Sequence, residues 1–193
     1  TIIEFTDFQC PFCARFATET LPPLKSTYLT TGKARLIFRD LPLVQIHPYA
    51  RGAAIAAECA KKQGKDAMYF RYHDKLFENQ SDLSVANLKK IAGDLGLNAA
   101  TFNACLDNET TGDEVDADAA SAQDNYINGT PGLLVLMESD DSKADALKGM
   151  ELIQDGRFLI QFVETEDKKQ MGLRISGAFP FSTFQQAIDL ALE

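Results

Sequence analysis

The stretch Thr6-Asp7-Phe8-Gln9-Cys10-Pro11-Phe12-Cys13 constrains this chain more than any other. Ahead of it, Thr1-Ile2-Ile3-Glu4-Phe5 alternates as a strand does, with Glu4 the one acidic residue in an apolar setting. Behind it, Ala14 to Tyr28 has helical spacing, with Phe16, Thr20 and Leu24 on one face. A Cys-x-x-Cys therefore falls where a strand turns into a helix. The first turn of a helix offers unsatisfied N–H groups and the positive end of the macrodipole. Both favour a thiolate at Cys10, and the thiolate is the nucleophile of disulfide exchange. Pro11 suits the first turn, where a missing N–H costs nothing. Cys13 lies on the same face, close enough to close a ring with Cys10.

Other uses of two cysteines fit less well. They can pack as small apolar residues, but a Cys-Pro-x-Cys at a strand–helix junction argues against that. Zinc needs a second ligand pair of suitable spacing. Cys59 and Cys105 are far apart in the sequence, with only His47 and His73 to join them, so no metal is expected. A purely structural bond is also disfavoured, because so small a ring constrains the unfolded chain little.

A chain of 193 residues makes one large domain or two small ones. No apolar run reaches the roughly 20 residues of a membrane span. Because the expected first strand begins at Thr1, a signal or anchor upstream of it is expected. The net charge of −9 argues against nucleic acid or an anionic membrane surface as partner. Any stabilisation of a Cys10 thiolate must then be local. Four cysteines are compatible with an oxidising compartment.

In chain order, Pro22 and Pro23 interrupt the first helix and Gly32 closes it. Ala34 to Phe38 reads as a second strand, so strand, helix and strand suggest a parallel βαβ unit. From His47 to Ile127 the signal is helical. Pro48 sits at a first turn, and Tyr49, Gly52, Ile55, Ala56 and Cys59 share a face. Asp66 to Phe77 is rich in aromatics. Ser84 caps a helix with Val85, Leu88, Ile91 and Leu95 as its apolar face, and Asn98 caps another bearing Phe102, Cys105 and Leu106. Val115, Ala119, Ala122 and Tyr126 mark the last helix of the series. Asn128-Gly129-Thr130-Pro131-Gly132 then precedes a buried strand, Leu133 to Met137. Glu138 to Asp145 reads as an acidic loop. Arg157–Val163 and Met171–Ile175 are expected to pair as a hairpin. A closing helix carries Phe184, Ala187, Ile188 and Ala191.

Glu4 on the first strand, Phe8-Gln9-Cys10-Pro11-Phe12-Cys13, a long helical stretch and Gly129-Thr130-Pro131-Gly132 before a strand together resemble the DsbA-type thiol:disulfide oxidoreductases. The resemblance spans almost the whole chain and implies an α/β fold, thioredoxin-like with an inserted all-helical subdomain. Residues 1–45 and 128–193 would form the thioredoxin-like part, with an extra hairpin-like insertion near 138–170, and 46–127 the helical subdomain. The proline matching Pro131 is cis in that family and lies beside the active disulfide. Thr130 would then present its backbone to an extended substrate. Glu4 falls where these proteins carry a buried acid. Desolvation should raise its pKa and let it relay the proton of Cys13, with Lys33 or Arg35 as its partner. Phe12 stands where the best-known members have His, and it can neither donate a hydrogen bond nor carry charge. The resemblance therefore implies a weaker oxidant, and an exposed Phe12 suits an apolar substrate groove.

Some relatives carry a second disulfide in the helical subdomain, which implies a Cys59–Cys105 pair; two buried thiols are the alternative. The loop would span 105 − 59 = 46 positions. The implied activity is exchange of a Cys10–Cys13 disulfide with cysteines of substrate proteins during oxidative folding. Disulfide reduction, isomerisation and redox-inactive peptide binding are the alternatives. No organic cofactor or metal is implied, only the redox-active disulfide. The implied setting is extracytoplasmic, as a monomer that passes electrons to a membrane-bound redox partner.

Overall fold

The alternating N-terminal run becomes strand β1 (Ile2–Thr6) in the computed structural model, which describes residues 1–154 and 157–193. A helical run follows: α1 (Pro11–Arg15), a π turn over Phe16–Thr20, α2 (Leu21–Leu24) and a second π turn over Lys25–Leu29. The prolines explain the widened turn ahead of α2. Pro22 and Pro23 have no N–H to donate, and their rings would clash with the carbonyls one turn back in a regular helix. Strand β2 (Leu36–Asp40) starts two residues later than its apolar run suggests. The shift follows from pairing: Ile2 N donates to Arg35 O and Leu41 N to Thr6 O, both at 2.8 Å. Those two bonds advance in the same direction along both strands, so β1 and β2 run parallel.

Strands β3 (Gly132–Glu138), β4 (Leu152–Gln154), β5 (Arg157–Glu164) and β6 (Gln170–Ser176) complete a six-stranded sheet in the order β2-β1-β3-β6-β5-β4. The pair β1–β3 is antiparallel, with Glu4 opposite Leu133 and Phe5 opposite Gly132. Strands β5 and β6 form the expected antiparallel hairpin, with Phe162 opposite Leu173. At Gly172 the strands approach so closely that a Cβ would stand 1.8 Å from Val135 O. Only glycine fits there.

The Glu138–Asp145 stretch departs from its reading as a loop, because a helix (Asp141–Lys148) occupies most of it. Asp140 is its N-cap, accepting from Ser142 N at 3.0 Å, and the acidic first turn complements the helix dipole. Residues 155 and 156, within the 138–170 insertion, lie outside the described residues. The closing helix spans Phe181–Leu192.

The chain divides into two compact units. The first comprises Thr1–Phe5, Arg15–Arg39 and Ile127–Glu193. Its core joins Ile2, Phe16, Leu133, Leu173, Ile175 and Phe184, all nearly inaccessible. Phe16 and Phe184 meet edge to face at 5.5 Å, and Tyr28 OH donates to Asp189 Oδ1 at 2.5 Å.

The second unit comprises Thr6–Ala14 and Asp40–Tyr126. Its helices are Ala50–Glu78, Val85–Asp94, Ala99–Asp107 and Gly112–Asp124. Ser84 and Asn98 cap as their residue types suggest, accepting from Asn87 N at 3.4 Å and Thr101 N at 2.9 Å. The helix Ala50–Glu78 breaks at Gly64 and Lys65, where Lys65 adopts φ 55°. Two expected apolar-face residues face water instead: Val85 is 52% exposed and Tyr126 76%. Tyr126 lies beyond the last helical turn at φ 55°, so the helical period no longer sets its direction. Tyr72 OH donates to Leu88 O at 2.7 Å while its ring packs on Phe102. A disulfide joins Cys59 and Cys105 with their Cα atoms 5.9 Å apart. Among the described residues no helix is long and apolar enough to cross a membrane.

Candidate active site

The Cys-x-x-Cys segment belongs to the second unit, where its turn is closed by its own backbone. Cys10 N donates to Asp7 O at 3.0 Å, and Ala14 N donates to Cys10 O at 3.1 Å. The first bond makes the turn out of β1 and the second opens α1, with Pro11 as its first residue. Cys10 is 4% exposed and Cys13 is fully buried, and both are thiols in this structure. Pro11 and Phe12 between them reach solvent, Phe12 with 54% of its surface. Asp7 N points at Cys13 Sγ at 3.5 Å. A backbone N–H so placed stabilises negative charge on that sulfur more than it stabilises a neutral thiol.

Backbone and side-chain groups from residues 40–80 hold the turn. The Asp7 carboxylate is fully buried and accepts three hydrogen bonds: Gln9 N at 2.7 Å, Leu43 N at 2.9 Å and His47 Nδ1 at 2.8 Å. An ionised carboxylate only accepts, so Nδ1 of His47 carries the proton. Gln9 Oε1 accepts from Tyr49 N at 2.8 Å. Gln80 Nε2 donates to both Phe8 O, at 3.0 Å, and Cys10 O, at 2.9 Å. The Phe8 ring packs 5.7 Å from His73 and 5.3 Å from Phe77. These contacts explain why Thr6–Ala14 groups with the helices of the second unit. Val44, Ile46 and Tyr49, on the segment that touches Asp7 and Gln9, are exposed apolar residues of the same unit.

The remaining residues singled out by the sequence lie in the first unit. Glu4 is 1% exposed on β1. Lys33 is exposed in the turn ahead of β2, and Arg35 Nε donates to Thr1 Oγ1 at 2.8 Å. The Thr130–Pro131 peptide bond is cis. Pro131 is buried, and its carbonyl accepts from Gly177 N at 2.8 Å. Among the described residues no group of three or more His, Cys, Asp or Glu side chains is arranged to hold a metal ion.

A family model described as Thioredoxin matches residues 1–152. The chain belongs to the thioredoxin family. The oxidised BdbD of Bacillus subtilis superposes with a TM-score of 0.69 at 20% identity, over 99% of this chain and 86% of that one. The shared architecture is thus the thioredoxin-like fold with a helical insertion. Disulfide bond formation protein D of Bacillus subtilis is 30% identical over 70% of this chain and 62% of its own. Na(+)/H(+) antiporter NhaA 3 of Salinispora tropica is 32% identical over 70% of this chain, but over only 20% of its own. The chain thus spans about a fifth of the length of the first curated relatives it matches.

Within this thioredoxin-family chain, sequence reading passed over Asp7 and Gln80 and considered His47 only as a metal ligand. Asp7 sits inside the motif stretch and looks like a spacer. His47 is 40 positions away from it, and Gln80 is 70 positions away from Cys10. The one local signal was the acid itself, since Asp directly after a strand often accepts from the backbone two residues on.

Proposed function

We propose that this chain is a thiol:disulfide oxidoreductase that introduces disulfides into substrate proteins, with Cys10 as the exchanging sulfur and Cys13 as its partner. One observation carries the reading: Cys10 closes the turn out of β1 and accepts the first hydrogen bond of α1, with Cys13 Sγ beneath it facing the Asp7 N–H. In the first step a substrate thiolate attacks Cys10 Sγ of the disulfide. A substrate–Cys10 bond forms, the Cys10–Cys13 bond breaks, and the electron pair leaves on Cys13 Sγ. In the second step another substrate thiolate attacks the substrate sulfur and expels Cys10 Sγ. The substrate gains a disulfide, the protein keeps two thiols, and two electrons have moved.

Cys13 must then take up a proton, and we assign its handling to Glu4, with Lys33 as an auxiliary cation. Thr130 and Pro131 are assigned to hold an extended substrate strand. Pro11 and the exposed Phe12 tune and frame the reactive sulfur. No organic cofactor or metal enters these steps. Reoxidation calls for a second redox protein, and we place the chain outside the cytoplasm with a membrane-bound partner in that role. The names of the Bacillus relatives, disulfide bond formation protein D, support the disulfide-forming direction.

Equilibration with glutathione mixtures, reoxidation of a reduced model protein and insulin reduction test the proposal together. An oxidase takes disulfide from the glutathione pool and passes it to the model protein. A reductase or isomerase acts in the insulin or scrambled-protein assay instead, and a peptide-binding domain does neither. Glu4→Gln should slow thiol release and flatten its pH profile if Glu4 handles the proton; an unchanged profile removes it from that role.

A further inference from the structure

We infer that His47 is a positioning residue for the leaving sulfur. It fixes Asp7 so that the Asp7 backbone N–H stays aimed at Cys13 Sγ when that atom takes up charge. The inference rests on the exchange chemistry proposed above for Cys10 and Cys13.

The geometry forms a chain of three contacts. His47 Nδ1 donates to Asp7 Oδ2 at 2.8 Å, and Asp7 N donates to Cys13 Sγ at 3.5 Å. The third contact is the bond from Gln9 N to Asp7 Oδ1, at 2.7 Å, which pins the other oxygen. The Asp7 side chain is wholly inaccessible and His47 is 16% exposed, so water cannot replace the imidazole at full strength. A buried carboxylate stripped of one donor turns toward whatever donors remain. For Asp7 that is a rotation about Cα–Cβ, and because Oδ1 is hydrogen-bonded to Gln9 N the backbone turn of residues 7 to 9 is pulled with it, which moves the Asp7 amide N–H that faces sulfur. Leu43 N shares Oδ2 with His47, at 2.9 Å, and is the donor that remains on that oxygen when the imidazole is lost. The other anchors act elsewhere, Gln80 on the carbonyls of Phe8 and Cys10 and the Gln9 side chain on Tyr49 N. None of those reaches a sulfur atom.

The chemistry separates this role from general stiffening. When a thiolate attacks Cys10 Sγ, the Cys10–Cys13 bond breaks and its electron pair goes to Cys13 Sγ, so charge develops at the atom that the N–H faces. When reduced Cys10 reacts with iodoacetamide, its sulfur displaces iodide and Cys13 plays no part. His47 should therefore matter for the first reaction and not for the second.

The test compares the wild type, His47→Leu and His47→Asn in both reactions, with folding checked by circular dichroism. His47→Leu should slow reduction of the disulfide by glutathione roughly three- to tenfold, the size of a weakened hydrogen bond to a charged group. Its iodoacetamide rate at Cys10 should match the wild type. His47→Asn, whose amide N–H stands near the place of Nδ1, should restore the reduction rate. If His47→Leu does not fold, His47→Asn and His47→Gln make the comparison, since the Gln amide reaches past that place and should reduce slowly. Equal reduction rates across the folded variants overturn the inference, and so does an equal slowing of both reactions. A wild-type disulfide that resists glutathione altogether defeats the exchange chemistry itself, and the role of His47 with it; that failure shows in the wild-type lane alone.

Discussion

Opening the Cys59–Cys105 bond should cost this protein about 4 kcal/mol. The bond closes a loop of 46 positions, and the chain-entropy relation for a loop of that length gives close to 4 kcal/mol at 25 °C. The bond ties the long helix Ala50–Glu78 to the helix Ala99–Asp107. Near it, Thr111 Oγ1 donates to Ile55 O at 3.1 Å and lies 3.7 Å from Cys59 Sγ. Those neighbours keep the reduced side chains packed, so the loss should be one of cross-linking rather than of contacts. For a chain of this size, about 4 kcal/mol corresponds to a fall in Tm of roughly 10 °C. The measurement is made in a Cys10→Ser/Cys13→Ser background, so that a reductant changes only this bond. Samples refolded with and without reductant are melted and followed by circular dichroism. Midpoints within about 2 °C of each other would refute the argument, because on the same relation they leave less than about 1 kcal/mol for the cross-link.

Three further outcomes follow from the geometry. Phe12→His places a donor and a positive charge beside Cys10, and a redox titration should find the pair more oxidising by several tens of millivolts, taking one charge-assisted contact at about 30 mV per 1.4 kcal/mol. Gly172→Ala puts a methyl 1.8 Å from Val135 O; since backbone must move, the loss in urea unfolding should be at least about 3 kcal/mol. Burial, helped by the Asp189 carboxylate, pushes the Tyr28 hydroxyl up from 10.0 to about 12. A group raised in the folded state stabilises fully below its unfolded value, so this contribution is complete below pH 10 and drains away as the pH climbs toward 12. Urea midpoints measured across that range should fall in the wild type and stay flatter in Tyr28→Phe.

Local signals and the β5–β6 hairpin were legible in the sequence, but the exact bounds of a strand set by a distant partner were not. The caps at Ser84 and Asn98 use side chains to satisfy the backbone three residues on, so spacing alone finds them. The break at Gly64 and Lys65 comes just ahead of the aromatic segment that begins at Asp66. Strand β2 is different. Its end is set by Leu41 N reaching Thr6 O, a choice made by a strand 35 residues earlier. The helix Asp141–Lys148 was hidden by composition, because acidic residues suggest solvent while Asp140 acts here as a cap. At the candidate site the two cysteines announce themselves, whereas the acid, imidazole and amide that steady them are scattered along the chain and carry no shared spacing.

The bond from Gln80 to Cys10 O spans 70 positions of sequence, and ribosomes make proteins from the N-terminus onward. At about 5–20 residues per second, some 4–14 seconds pass between the synthesis of the reactive turn and that of the amide that braces it. During that interval Cys10 and Cys13 are an ordinary pair of thiols on a nascent chain, and Cys59 emerges among them before Cys105 does. The order of birth thus sets a pairing problem that the finished architecture no longer has.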